Sequence, residues 1–188
     1  MVLRVSFNLA ESDLKHFRLI MREARHAAAK WTPEEIVAGA SSLLRKVDSV
    51  TVPEFVSERL AKLELMINML TDTEWRLPAQ DSTRVLNALA YFCEPDDLIP
   101  DEIPGLGFLD DAIMIELVVR ELSHEIDAYR DFCDFRANRS QGGRADKPAD
   151  VTRDEWLAER RKSLQTRMRR RRQRNGKKTA SQSPLGIV

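Results

Sequence analysis

The stretch Ala88–Asp111, ALAYFCEPDDLIPDEIPGLGFLDD, decides how the rest of the chain is read. It carries seven acidic residues (Glu94, Asp96, Asp97, Asp101, Glu102, Asp110, Asp111) and no Lys or Arg. Pro95, Pro100, Pro104, Gly105 and Gly107 punctuate a run of large apolar side chains. Leu98, Ile99, Ile103, Leu106, Phe108 and Leu109 are too apolar for an ordinary linker, so burial against flanking helices is expected. The reading is a structural corner: a helix over Asp81–Cys93, an acidic turn, and a long helix over Asp110–Phe135. Leu98, Ile99, Ile103, Leu106 and Leu109 would fill the notch between them, with Pro100, Pro104 and Gly107 setting the backbone.

Upstream of the corner the period is helical. Leu14, Phe17, Ile20, Met21, Ala24 and Ala28 form one stripe, with Ser12 as its N-cap. Thr32-Pro33-Glu34-Glu35 is a capping box with proline at the first helical position, and Ile36, Val37, Ala40, Leu43, Leu44 and Val47 follow it. Pro53 opens a third helix through Phe55, Leu60, Leu63, Ile67 and Leu70. Asp81 or Ser82 opens a fourth, which Pro95 ends. Leu3, Val5, Phe7 and Leu9 alternate as in a strand, but nothing strand-like follows to pair with them. Residues 1–8 are therefore read as an extended arm on an all-α body.

Downstream, Ile115, Val118, Val119, Leu122, Ile126, Tyr129 and Cys133 trace one stripe of the long helix. Its first half, Ala112–Val119, is apolar nearly all round, which suits the centre of a bundle, a partner or lipid. Residues 137–150 read as a linker and residues 151–174 as a basic helix opened by the capping box Thr152-x-x-Glu155. Residues 175–188 read as a disordered tail. The expected layout is an arm, a compact helical bundle over 9–136, a linker, a basic helix and a tail.

The central segment also resembles a known family. Tyr91-Phe92, then Pro95-x-Asp97-Leu98-Ile99-Pro100-Asp101, then Ile103-Pro104-x-Leu106-Gly107-x-Leu109-Asp110-Asp111 is similar to the motif of the YkvA family, a bacterial domain of unknown function (DUF1232). The resemblance covers about residues 84–122. It implies no established reaction, and it implies membrane association, which is described for many members.

Composition bounds the rest. The chain has 188 residues, 43% hydrophobic and 32% charged, as in soluble globular proteins. No apolar run approaches the roughly 20 residues of a spanning helix, and the first 20 residues lack the apolar core of a signal peptide. Cys93 and Cys133 have no metal or redox spacing and read as reduced buried thiols. A cytoplasmic protein is the expectation, with peripheral attachment at the inner membrane as the alternative. The zero net charge conceals an asymmetry: residues 151–178 hold 12 Lys+Arg against 3 Asp+Glu, net +9, which leaves 18 against 27, net −9, elsewhere.

Three chemistries are open to these residues. The acidic cluster could hold a hard divalent ion through Asp97, Asp101 and Asp111, but its spacing does not match a calcium loop. The structural alternative gives Asp96, Asp97 and Asp101 turn roles and places Asp110 and Asp111 at a helix N-terminus. Catalysis has no support: His16, His26 and His124 are scattered, Gly105-x-Gly107 follows no strand, and no nucleophile–base pair is visible. No cofactor is expected. The third chemistry is the basic helix. Arg160, Arg161, Lys162, Arg167, Arg169, Arg170, Arg171, Arg172 and Arg174 could neutralise RNA or DNA phosphates without reading sequence. The same charges could meet anionic lipid, a partner, or the acidic body of the chain itself. Two roles remain open at the level of sequence: a non-enzymatic adaptor or scaffold with a protein partner and a polyanion-binding tail, or a peripheral membrane protein.

Overall fold

The computed structural model describes residues 8–47, 50–93, 99, 103, 106–140 and 152–181, without the side chains of 139, 140, 153 and 177–181. Among these residues there are seven α-helices and no strand, an all-α fold. They are α1 (Glu11–Ala27), α2 (Pro33–Val47), α3 (Glu54–Thr71), α4 (Ala79–Leu89), α5 (Leu109–Glu121), α6 (Ser123–Ser140) and α7 (Arg153–Ser181). Short 3-10 turns follow α1 (Ala28–Lys30) and α4 (Ala90–Cys93). The chain divides into two compact units: residues 1–67 with 79–121, and residues 68–78 with 122–188. The arm expected over 1–8 lies outside the described residues except for Asn8; of the linker expected over 137–150, residues 137–140 belong instead to α6, and residues 141–150 lie outside the described residues.

In the first unit, α2 starts as its sequence dictates. The Thr32 amide donates to the Glu35 carboxylate at 2.7 Å, and the Glu35 amide donates back to the Thr32 hydroxyl at 3.2 Å. The bonds from the Thr32 backbone and hydroxyl hold the Glu35 carboxyl below its ordinary value. Helix α1 differs from expectation: it begins at Glu11, and the Asp13 carboxylate accepts the Ala10 amide at 2.7 Å, so Ser12 is not the cap. Likewise α4 begins at Ala79, placing Asp81 inside its first turn and buried.

Helix α5 is the centre of this unit. Ala112, Ile113, Met114, Ile115, Leu117 and Val118 are all buried, so the helix that is apolar nearly all round faces protein. Its polar exception, Glu116, meets Arg120 at 3.0 Å, Arg59 at 3.3 Å and Lys62 at 3.6 Å. Burial pushes the Glu116 carboxyl up, but the Arg120 hydrogen bond and the neighbouring cations outweigh it, and the net direction is down. Helix α2 packs against the 3-10 turn Ala90–Cys93 at Gly39. A Cβ there would lie 2.8 Å from Cys93 Sγ and 2.9 Å from the Phe92 carbonyl oxygen, so the contact requires glycine.

The long helix expected over Asp110–Phe135 is two helices, separated at Leu122. The break has neither Gly nor Pro to announce it. Leu122 and Ile126 are both buried, so the apolar stripe runs on through the interruption and periodicity alone misses it.

The second unit is built on α6 and α7, which pack together. Trp75, with no exposed surface, sits 5.1 Å from Phe132 and 5.7 Å from Tyr129, ring centre to ring centre. Helix α7 adds Leu157, Leu164 and Met168 to this core. Trp156 stacks on Phe135 with ring centres 3.7 Å apart. The basic helix is thus part of a folded unit, and it runs past the expected end at Arg174 to Ser181. Of the tail expected over 175–188, residues 182–188 lie outside the described residues.

Cys93 and Cys133, expected as buried thiols, are half-buried instead. The Cys93 thiol lies 3.6 Å from the Glu35 carbonyl oxygen.

Candidate functional site

Two regions carry the residues that the sequence singles out. In the acidic corner, Ile99, Gly107, Asp110 and Asp111 are described, whereas Pro95, Asp97, Leu98, Pro100, Asp101 and Pro104 lie outside the described residues. The Ile99 amide donates to Asp110 Oδ2 at 3.1 Å, tying the corner to the first turn of α5. The Gly107 amide donates to the Ile103 carbonyl at 2.8 Å, and Phe108 then enters α5 through a left-handed backbone, φ 64°. Phe108 is buried. Ile103 and Leu106, expected in the notch, are instead 40% and 53% exposed. Asp110 and Asp111 are both buried, and Asp111 lines a pocket of about 340 Å³ with Lys46, Tyr91 and Cys93. The metal set Asp97, Asp101 and Asp111 has two members outside the described residues. Among the described residues no group of three or more His, Cys, Asp or Glu is placed to hold a metal.

The second region is α7, and the fold sorts its cations into two groups. One group is engaged inside the unit. Arg160 lies over the Phe135 ring at 4.8 Å. Arg161 donates to the Glu74 carbonyl at 2.8 Å, Arg167 pairs with Asp131, and Arg172 pairs at 2.8 Å with Glu125, a residue with no exposed surface. Arg169 is half-buried. The other group, Lys162, Arg170, Arg171 and Arg174, is exposed and has no ion pair among the described residues. Arg167, Arg170, Arg171 and Arg174 fall at i, i+3, i+4 and i+7, so they share one face of the helix. With Lys162 and Thr166 they border an open trough of about 590 Å³. Arg171 and Arg174 also border a second hollow, of about 500 Å³, where Asn175 Nδ2 lies 2.9 Å from His124 Nε2.

The apolar side of α7 is already used. Leu157, Leu164 and Met168 are 4%, 1% and 1% exposed, buried within the unit. What this helix presents outward is charge.

A network centred on Asp72, which no sequence motif announces, braces this unit. Asp72 accepts hydrogen bonds from the amides of Glu74 and Trp75 at 2.8 and 3.0 Å, from the Tyr129 hydroxyl at 3.0 Å and from Arg136 at 2.8 Å. Burial pushes the Asp72 carboxyl up, but these donors and the Arg136 charge outweigh it and hold it below the ordinary aspartate range. Burial, with Cys133 and Asp72 nearby, pushes the Tyr129 hydroxyl up. Asp72 and Tyr129 are 57 positions apart, too far for any local motif to report.

Among known proteins, residues 83–117 match the family model described as "Protein of unknown function (DUF1232)". That span covers the end of α4, the 3-10 turn, the acidic corner and most of α5. Neither a curated protein nor a solved structure matches the chain.

Proposed function

We propose, for a chain that carries a DUF1232 segment at its centre, a non-enzymatic adaptor role in which α7 binds polyanions without reading their sequence. One observation carries this reading. Lys162, Arg170, Arg171 and Arg174 stand exposed on a helix whose apolar side chains are buried in its own unit. Such a face neutralises phosphates and offers nothing that distinguishes bases, since no aromatic follows Trp156 on α7 to stack on them. The engaged residues Arg161 and Arg172 orient the helix, and the free ones contact the ligand.

The test is binding of full-length protein to a labelled oligo-dT strand over a range of salt. Four phosphate contacts give a slope of log K against log salt of about −3. The triple change Arg170→Glu, Arg171→Glu and Arg174→Glu is expected to abolish binding while leaving the helical spectrum intact. No binding at low salt, or equal binding by the triple variant, overturns the reading.

A peripheral membrane role is the second reading, favoured by the exposure of Ile103 and Leu106 within the DUF1232 segment. No helix among the described residues is long and apolar enough to cross a membrane, so contact would be at the surface. Sedimentation with anionic vesicles separates the two. Charge-only attachment is released by about 0.5 M salt, where screening acts within a few ångströms. Attachment through Ile103 and Leu106 persists there and is lost in an Ile103→Ser, Leu106→Ser variant.

A further inference from the structure

The first unit carries a cationic surface of its own, in the groove between α1 and α5. Its volume is about 830 Å³. Lys15, Arg18, Arg22 and Arg25 line one wall, spaced i, i+3, i+7 and i+10 along α1, and Arg120 stands on the other. The floor is apolar, made by Leu19, Met21 and Leu117. Leu19 is 40% exposed in the middle of this row of charge, although Met21 and Leu117 beneath it are buried. The one carboxylate in the groove, Glu121, is already held by Arg25 and lies 4.0 Å from Arg84. Arg18 and Arg120 have Glu11 and Glu116 as partners, while Lys15 and Arg22 are exposed with no ion pair among the described residues.

We infer that this groove is a docking site for an acidic amphipathic helix of a partner protein. Charge complementarity selects the sign of the ligand. The four α1 cations run for about 15 Å along the axis, at 1.5 Å per residue, and carboxylates at matching spacing on a second helix repeat with the same rise. Leu19 selects the class. An exposed leucine between arginines offers nothing to a phosphate backbone, but it is the anchor expected where an amphipathic helix lays its apolar stripe into a groove. A concave trough between two helices suits a rod better than a flat bilayer. This site goes beyond the role proposed for α7 and does not depend on it. An adaptor needs a protein-binding surface, and this groove supplies one of defined chemistry.

The probe is a fluorescein-labelled helical peptide with Leu at every third or fourth position and Glu elsewhere, titrated with full-length protein and followed by anisotropy. Its charge-reversed counterpart, with Lys for Glu, is expected not to bind. The double change Lys15→Glu and Arg22→Glu is expected to weaken the acidic peptide by about tenfold or more. Leu19→Ser is expected to weaken it severalfold. All three residues are exposed, so these variants fold, which thermal melting checks. Arg170→Glu with Arg171→Glu is expected to leave peptide binding unchanged, which separates this groove from α7. The inference is overturned if Leu19→Ser binds as tightly as the parent, since the surface is then a charge patch alone. It is equally overturned if the α7 variant, rather than the α1 variant, loses the peptide. Oligo-dT or anionic vesicles whose binding is lost in the α1 variant and spared in the α7 variant would reassign the groove to nucleic acid or to lipid.

Discussion

Glu125 has no exposed surface, and its charge partner is Arg172, 2.8 Å away on α7. Breaking a buried pair by removing one member is far more damaging than replacing both with apolar groups. Arg172→Met is therefore expected to cost about 3 kcal/mol, and Arg172→Met with Glu125→Leu to recover most of that loss. Urea midpoints measure both. Equal stability of the single variant and the parent would show the pair to be incidental. Gly39 is governed by space. Alanine at an ordinary helix position gains about 1 kcal/mol over glycine. At 2.9 Å from the Phe92 carbonyl, overpacking outweighs that gain, and Gly39→Ala is expected to destabilise by about 1 kcal/mol net. Asp72 sets an acid limit. Because its folded value lies below the unfolded one, its contribution is complete above about pH 4 and is lost as pH falls through the folded value. Acid unfolding of Asp72→Asn is expected to show a shallower limb below pH ~4 than the parent, and identical limbs would exonerate Asp72. None of these three residues announces itself in the sequence, since each depends on a neighbour at least 47 positions away.

At the level of elements, legibility follows the range of the forces involved. The start of α2 is readable because Thr32 and Glu35 cap each other within one turn. The division between α5 and α6 is not, because Leu122 keeps its place in the apolar stripe while the backbone changes course. Helix α7 is a middle case. Its helical character and charge are legible, but Leu157, Leu164 and Met168 are outnumbered by cations, and only the tertiary contacts show that they are core. Helix α7 is therefore a structural member of its unit. Removing residues 152–188 is expected to uncover Phe132 and Trp75, lower the melting temperature and increase binding of a hydrophobic dye. A merely appended basic tail could be removed with neither effect.

For the molecule as a whole, charge is segregated within one neutral chain. The DUF1232 segment belongs to one compact unit and the exposed face of α7 to the other. Perturbations in separate units are expected to add. Gly39→Ala should lower stability without changing oligo-dT affinity, and Arg170→Glu with Arg171→Glu should do the reverse. A shared loss in either variant, measured by melting and anisotropy on the same samples, would show that the two activities are coupled. The all-α class and the separation of α4 from α5 follow from periodicity. The division into units does not, because it is made by Trp75 reaching partners late in the chain.

That reach has a consequence in time. Gln165 donates to the Trp75 carbonyl across 90 positions, and the aromatic partners of Trp75 are on α6. At ribosomal speeds of roughly 5–20 residues per second, Trp75 waits about 5–18 s for Gln165 to be synthesised. Until α6 is made a large indole stands without its ring partners on the nascent chain, a target for a holdase, and the second unit closes only after α7 has been synthesised.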